Sequence, residues 1–229
     1  MTYESENIRV LEGLEALRKR PTVYVGETNL AGVVHMAQEG IDNARDEHEL
    51  PSFNLSEYVE LVVCRHADNF TFCIKDYGRG IPLDSLVEVT TKLHASGKFD
   101  TTAYRTSGGL NGIGLKLITG LSEYAIITTT RQPDSAIIAF HKGEIIFHEL
   151  LEDEGTETGT VVIFQPDKSI MMEVEEFLKQ GPEILVERLN LTSILNTTKI
   201  RFIEVEDYDI RKLIKAIPKK PSRYGEYLF

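Results

Sequence analysis

The sequence predicts an α+β fold, in which a layered sheet carries helices on one face. Segments with apolar residues at helical spacing and segments that alternate apolar and polar residues are both abundant along the chain. They do not follow one another in strict β-α-β alternation, the order typical of doubly wound parallel sheets. The 229 residues are enough for one good hydrophobic core, or for a core with a small appendage.

Helices and a hairpin are predicted in the first third of the chain. Residues 10–20 have helical spacing, and Pro21 is expected to end this helix because proline has no amide hydrogen to donate. A second helix is predicted over 30–49. The alternating segments 58–65 and 70–75 flank a short polar turn, which predicts two antiparallel strands.

The remaining elements follow a glycine-rich turn at 76–82. A helix is predicted over 83–94, a long loop of the kind that often serves as a lid over 95–111, and a short helix from Gly112. Further strands are predicted around 124–130, 136–141, 144–150, 159–164 and 199–204, and further helices over 174–189 and 208–217.

The charge of the chain limits its contacts with nucleic acid. It has 25 basic and 36 acidic residues, for a formal net charge of −11. A protein this acidic is not expected to hold DNA over its whole surface, because neutralisation of phosphate is the main source of that affinity. Residues 211–223 contain six basic residues and no acidic one, and we interpret this segment as a solvated helix face and a frayed tail.

The composition favours a cytoplasmic protein with no membrane partner. No run of 18 or more apolar residues is present and the N-terminus is acidic, so neither a membrane span nor a secretory signal is expected. Cys64 and Cys73 lie in alternating apolar stretches. Two buried thiols explain them better than a disulfide or a metal site.

The predicted helix over 30–49 carries a row of acidic and amide side chains. They share one helical face and are Glu39, Asp42, Asn43, Asp46 and Glu47. Acidic groups stacked in this way repel one another unless cations or hydrogen-bond donors lie between them. Taken alone, the row is equally consistent with a solvated surface face.

Two glycine-containing segments follow it. In the first, Asp76 ends an apolar strand and precedes Gly78 and Gly80, so a flat group can approach its carboxylate closely, although a simple turn would look the same. The second, 108–116, opens a helix, where free amide groups and the helix dipole suit phosphate. Its spacing is neither that of dinucleotide-binding folds nor that of a P-loop.

Together these three segments resemble the GHKL ATPase superfamily, whose branches include Hsp90-type chaperones, MutL proteins, histidine kinases and type II topoisomerases. Four other segments decide the branch: 10–26, 93–110, 158–167 and 189–202 are similar to the B subunits of gyrase and topoisomerase IV. The resemblance runs from about Tyr3 to Glu206.

This resemblance implies a two-layer sandwich of a mixed, largely antiparallel sheet with helices on one face. Residues 1–15 would form a dimer-exchange arm and the start of the first helix, and 16–229 the ATPase domain, with the transducer and DNA-passage domains absent. The implied activity is ATP hydrolysis with Mg²⁺. ATP binding would dimerise two B subunits, an A subunit would complete an A2B2 assembly, and other domains would contact DNA.

The resemblance also implies roles for individual residues. Glu39 matches the general base, Asn43 the magnesium ligand, and Asp76 the reader of adenine, with Thr160 as its partner through water. Residues that match nucleotide-binding positions are Asn43, Glu47, Asp76, Arg79, Gly80, Ile81, Pro82, Lys98, Tyr104, Gly109, Leu110, Asn111, Gly112, Ile113, Gly114, Leu115, Lys116, Thr160 and Tyr3.

Some of these matches are more specific. Arg79 and Glu47 would form a pair over the adenine edge. Lys98 and Tyr104 would lie on the lid near the phosphates and the sugar, and Tyr3 would reach across a dimer to the partner's nucleotide. The adenine pocket would be walled by Gly40, Ile74, Ile81 and Val162.

The chain departs from the family pattern at several positions. Gly40 replaces a larger apolar residue and is expected to leave extra room in the adenine pocket. Asn111 replaces a histidine common in bacterial members, and Ile137 and Ile138 lie where many members carry an arginine at the pocket mouth. The segment after Pro82 lacks a frequent insertion. Together, these departures leave the choice between gyrase and topoisomerase IV open.

Two other functions remain as alternatives. One is a GHKL protein of another class, MutL-like or Hsp90-like, although both lack the signature between Gly13 and Gly26. The other is a module that binds nucleotide only as a switch, against which Glu39 argues. For the isolated domain we expect tight ATP binding and slow hydrolysis.

Overall fold

The computed structural model describes most of the chain between residues 13 and 206. The described residues are 13–48, 58–65, 68–93, 112–152, 157–172 and 199–206, with single helical positions at 174, 179, 184, 185 and 187. Several predictions fall outside them: the lid at 95–111, the basic segment 211–223, the helix at 208–217 and most of the helix at 174–189. None of the helices in the described ranges is long and apolar enough to cross a membrane.

Seven strands form one mixed sheet. They are β1 (Tyr58–Arg65), β2 (Phe70–Lys75), β3 (Ser122–Arg131), β4 (Asp134–His141), β5 (Glu144–Glu152), β6 (Gly159–Pro166) and β7 (Lys199–Glu206). The strand order is β5-β4-β3-β6-β2-β1-β7. The pair β1–β7 is parallel and all other neighbours are antiparallel, which confirms the predicted mixed, largely antiparallel sheet.

The helices cover one face of this sheet. They are α1 (Gly13–Lys19), α2 (Pro21–Val25), α3 (Leu30–His48), α4 (Leu86–Thr91) and α5 (Gly114–Leu121), with a 3₁₀ turn at Leu83–Ser85 before α4. The large core cluster lies between them and the sheet, and Phe72 of β2 stacks on Phe164 of β6 with ring centroids 4.9 Å apart. The predicted α+β layering is therefore confirmed.

The start of the chain differs from its prediction. Pro21 ends α1 as expected, but it also opens α2, a five-residue helix that the sequence pattern did not predict. Proline suits the first position of a helix, where its missing amide hydrogen has no partner to bond in any case.

The first helix is tied to α5 and to the end of β6 by a partly buried arginine and its ion pair. Arg18 donates to the carbonyl of Gly120 at 2.7 Å and to Asp167 at 2.6 Å, and Ser169 donates to the same carboxylate. Burial alone would raise the pKa of Asp167, but the hydrogen bonds from Arg18 and Ser169 hold it below its usual value. This carboxylate therefore fixes the packing of α1.

The prediction of two buried thiols is confirmed for Cys64 and only in part for Cys73. Cys64 is buried, Cys73 is partly buried, and both are free. Burial raises the pKa of Cys73 to about 11, so its thiol is protonated and unreactive near neutral pH.

Candidate functional site

The acidic row on α3 is interleaved with hydrogen-bond donors. Gln38 and Arg45 donate to Asp42 at 3.0 and 2.8 Å. Burial raises the pKa of Asp42, while the bonds from Gln38 and Arg45 work in the opposite direction. Arg79 donates to Glu47, as described below, and His35 lies against Glu39. The row is thus an ordered array of acceptors rather than a solvated face.

The opening of α5 lies against two members of this row. A Cβ built on Gly114 would overlap a carboxylate oxygen of Glu39 and would lie 3.0 Å from the side-chain nitrogen of Asn43. Glycine at 114 therefore lets the first turn of α5 lie directly against Glu39 and Asn43. A helix N-terminus is a suitable place for phosphate, because its amide groups and dipole favour negative charge.

Asn43 has a buried side-chain nitrogen with no hydrogen-bond partner among the described residues. Rotating the amide would place its oxygen at that point, where a hard cation is a suitable partner. No group of three histidine, cysteine or acidic side chains able to hold a metal occurs in the described ranges. A single amide oxygen fits Mg²⁺, because this ion usually takes one or two protein ligands together with substrate phosphates and water.

His35 is a site residue that the sequence reasoning missed. Its Nδ1 lies 2.9 Å from the carbonyl oxygen of Val25, and its Nε2 lies 3.2 Å from a carboxylate oxygen of Glu39. Val25 offers a carbonyl oxygen and Glu39 a carboxylate oxygen, and both are acceptors. Both contacts are therefore hydrogen bonds only if the His35 ring carries a proton on each nitrogen, or if Glu39 is protonated. The position of His35 one turn before Glu39 was the available signal.

The carboxylate of Asp76 is held at the end of β2 by main-chain donors. One of its oxygens accepts from the amides of Gly78 at 2.9 Å and Thr160 at 3.1 Å, and the amide of Asp76 donates to the carbonyl of Thr160 at 3.0 Å. Asp76 and Thr160 are both buried. The predicted partners therefore meet directly through the main chain, and the water between their side chains stays a prediction.

A glycine makes this contact possible. Gly159 has φ +142°, and a Cβ there would overlap the carbonyl oxygen of Asp76. The next residue in sequence, Thr160, reaches the Asp76 carboxylate only because the two main chains approach this closely. An L side chain at 159 would separate them.

The loop that follows Asp76 is fastened from two sides. The amide of Ile81 donates to the hydroxyl of Thr129 at 2.6 Å, and the hydroxyl of Thr158 donates to the carbonyl of Gly78 at 2.7 Å. Arg131 lies against Gly80 and donates to its carbonyl at 3.4 Å. Neighbouring strands thus fix the loop that the sequence assigns to the adenine edge.

Arg79 and Glu47 form the predicted pair. The guanidinium donates two hydrogen bonds to the carboxylate, at 3.0 and 2.9 Å, and both side chains are partly exposed. This two-pronged contact joins the loop after β2 to the last turn of α3. The pairing is confirmed, and its place over a base stays a prediction.

The prediction of extra room at Gly40 is wrong. A Cβ on Gly40 would overlap the δ-methyl group of Ile74 and would lie 3.3 Å from that of Ile118. Isoleucine at 74 thus fills the volume that glycine at 40 leaves. The identity of residue 40 alone does not reveal which neighbour occupies the space that its missing side chain leaves.

Lys116 lies in the first turn of α5 and is almost completely buried, with 2% of its surface exposed. Burial lowers the pKa of its ammonium group to about 8, and the attraction of Glu88 only partly offsets this. One turn further, the Thr119 hydroxyl donates to the carbonyl of Thr90 in α4 at 2.8 Å. Burial of the Lys116 ammonium group therefore costs folding free energy, at the start of the helix that the sequence assigns to phosphate binding.

The predicted site residues divide into two groups. The described ones lie on α3, on the loop after β2, at the opening of α5 and at the start of β6. Ile138 is buried in the core, and Ile137 packs with Ile126 and Ala139 on the opposite face of the sheet. Outside the described residues are Tyr3, Lys98, Tyr104, Gly109, Leu110 and Asn111.

Comparison with known families gives the same assignment as the geometry. The family described as histidine kinase-, DNA gyrase B- and HSP90-like ATPase matches residues 28–170, which include α3, the loop after β2, α5 and β6. The chain belongs to this ATPase family. The matched range covers all the described residues of the candidate site.

Within this ATPase family, the proteins similar to this chain include DNA gyrase B subunits. That of Mycoplasma genitalium is 38% identical over 92% of this chain, that of Campylobacter jejuni 36% over 85%, and that of Thermus thermophilus 37% over 74%. The aligned part covers 32%, 25% and 27% of those proteins. The chain therefore spans about a quarter to a third of the length of these relatives.

Proposed function

We propose that this chain is the ATP-binding and ATP-hydrolysing domain of a type II DNA topoisomerase B subunit. The observation that carries the proposal is the contact of the α5 opening with Glu39 and Asn43, where a buried amide nitrogen has no hydrogen-bond partner among the described residues. The gyrase B names of the relatives support the topoisomerase class over the MutL-like and Hsp90-like alternatives.

Glu39 acts as the general base in this proposal. Its carboxylate orients a water molecule for in-line attack on the terminal phosphate and accepts the proton of that water. His35 holds one oxygen of Glu39 in place, which directs the other oxygen. Asn43 holds Mg²⁺, which neutralises charge on the phosphate oxygens when bound.

Asp76 recognises the base. A carboxylate that already accepts two main-chain amides is ordered, and it accepts a further hydrogen bond from an exocyclic amine such as that of adenine. The Arg79–Glu47 pair covers the edge of the base. Amide groups of 112–115 cradle the phosphates with Lys116 beside them, while the amide of Lys116 itself donates to the carbonyl of Ile113 at 2.9 Å.

Further roles belong to residues outside the described ranges. We infer that Gly109, Leu110 and Asn111 extend the phosphate cradle, that Lys98 and Tyr104 act from a lid, and that residues 1–15 are an arm whose Tyr3 reaches a partner's nucleotide. Residues 16–229 form the ATPase domain. ATP-dependent homodimerisation, assembly with an A subunit and control of double-strand DNA passage complete the proposal.

The test is the substitution Glu39→Gln, which keeps the size of the side chain and removes its basicity. We expect ATP binding to be retained and phosphate release to fall by at least about a hundredfold, the scale of general-base catalysis. Glu15→Gln is the matched control, because Glu15 lies on the exposed side of α1 and pairs with Lys19.

Two results would separate the alternatives. If Glu39→Gln releases phosphate at the wild-type rate, the chain has a different base or none, and the catalytic assignment is wrong. A wild-type chain that binds ATP without releasing phosphate, even at high enzyme concentration, is a nucleotide switch.

A further inference from the structure

Gly40 lies where three elements meet. It follows Glu39 on α3, and its backbone faces Ile74 of β2 and Ile118 of α5. A Cβ here would overlap the δ-methyl of Ile74, whereas the next carbon of that side chain, Cγ1, lies at an ordinary 3.8 Å. Both isoleucines are buried in the core. A single methyl group therefore sets how closely α3 lies on β2.

The same two helices meet again one turn away, at the candidate site. Gly114 of α5 lies against Glu39 and Asn43, and Ile118, one turn later on α5, lies against Gly40. Each contact depends on a glycine, one on each helix. A shift of α3 at Gly40 therefore moves the adjacent Glu39 relative to the opening of α5.

The carboxylate of Asp76 is held by donors that lie outside α3. It accepts from amides of its own loop and of β6, and the loop is fastened by Thr129 and Thr158. The Arg79–Glu47 pair also joins this loop to the last turn of α3. A displacement of α3 at Gly40 therefore moves the adjacent Glu39 directly, whereas Asp76 keeps its main-chain donors.

We propose that Gly40 and Ile74 are a positioning pair, in which the Ile74 δ-methyl seated in the gap at Gly40 sets the direction of the Glu39 carboxylate. This rests on the proposed ATPase function. The pair is not a pair of catalytic residues, because it acts only through Glu39 and Asn43. Both residues also match positions in the wall of the adenine pocket, so a change in KM alone would belong to that wall. The positioning effect belongs to kcat, since misplacement of a reacting group by about 1 Å costs up to about a hundredfold in rate.

The test moves one methyl group between the two positions. Gly40→Ala adds the methyl that overlaps Ile74, and Ile74→Val removes the overlapping atom. We expect Gly40→Ala to lower kcat at least about tenfold, whatever its effect on KM. The double variant Gly40→Ala/Ile74→Val is expected to recover kcat to within about threefold of the Ile74→Val variant.

Gly120→Ala is the matched control. Its new Cβ would lie 2.9 Å from a methyl of Leu17 on α1, so it introduces a similar crowding on the side of α5 that faces away from the site. We expect this variant to melt at a lower temperature and to keep its kcat. A loss of stability alone therefore does not explain a loss of turnover.

Several outcomes would overturn the proposal. One is a Gly40→Ala variant whose kcat is unchanged although its melting temperature falls as in Gly120→Ala. Another is a double variant at least about tenfold slower than Ile74→Val, a comparison that holds even if Gly40→Ala alone does not fold. Absence of ATP hydrolysis in the wild-type chain would contradict the proposed function instead. If the wild-type chain hydrolyses ATP and all variants bind nucleotide, a negative result contradicts only the positioning pair.

Discussion

Replacing Lys116 by methionine is expected to make the protein more stable and a poorer binder of ATP. Lys116 is buried at the opening of α5, where burial lowers the pKa of its ammonium group from 10.5 to about 8. Methionine has a similar length and volume and no charge, so it fills the same space without the cost of burying an ammonium group.

The size of the effect follows from this pKa. A drop from 10.5 to about 8 corresponds to roughly 3 kcal/mol, at 1.36 kcal/mol for each factor of ten. Because the pKa is lower in the folded state, the cost is fully present below about pH 8 and disappears as the pH rises through 10.5. Lys116→Met is therefore expected to gain up to about 3 kcal/mol at pH 7 and much less at pH 10.

Urea denaturation at both pH values measures the change in stability, and titration calorimetry measures ATP binding. We expect at least about tenfold weaker ATP binding, because a hydrogen bond to a charged group is worth about 1.5–3 kcal/mol. Lys92→Met is the matched control. Lys92 is exposed and pairs with Glu88, so its loss is expected to change stability by less than about 0.5 kcal/mol.

The reasoning is refuted if Lys116→Met is less stable than the wild type at pH 7. It is equally refuted if the gain is the same at pH 7 and pH 10, since the gain would then come from packing rather than from removal of a buried charge. If Lys116→Met binds ATP as tightly as the wild type, Lys116 does not contact the phosphates.

Two further predictions concern pH and orientation. Asp167→Asn is expected to lower stability at pH 7 by about 1–3 kcal/mol, because the carboxylate that accepts from Arg18 is lost. Because the pKa of Asp167 is lowered in the folded state, the difference in stability between wild type and Asp167→Asn narrows as the pH falls below 4 through that folded-state pKa. Equal differences in stability at pH 7 and pH 3, measured by urea denaturation, would contradict this. His35→Ala is expected to reduce phosphate release about tenfold to a hundredfold with ATP binding retained, because Glu39 loses the partner that orients it. His35→Gln keeps a donor toward Glu39, so a Gln variant no faster than His35→Ala would argue against this role.

The local parts of the fold could be predicted from the sequence. The alternation in 58–65 and 70–75 gave both hairpin strands with the observed bounds, and the helix at 30–49 ends within one residue of α3. Alternation and spacing suffice there because each segment buries one face of its own. Strands β3 to β6 lie where they were predicted, and each is two or three residues longer than predicted because neighbouring strands continue the pairing.

Non-local contacts could not be predicted. Whether Gly40 leaves a hole depends on Ile74, which comes from another element and whose rotamer is set by the core. His35 became recognisable only when its ring was found between Val25 and Glu39. Pro21 illustrates a different limit, because it ends α1 and also begins α2. A proline in the sequence does not show by itself whether a new helix begins there.

The parallel pairing of β7 with β1 determines when the domain becomes complete. Tyr58 lies opposite Lys199, so the first and last described strands meet across most of the sequence. Contacts this distant form late, because closing a long loop precedes any gain from the strand pair. Until then β1 has one unpaired edge, and its buried face carries Val59, Leu61 and Val63. A chain whose β7 has not yet left the ribosome therefore presents a strand with an open edge and an apolar face, which exposes it to misassembly.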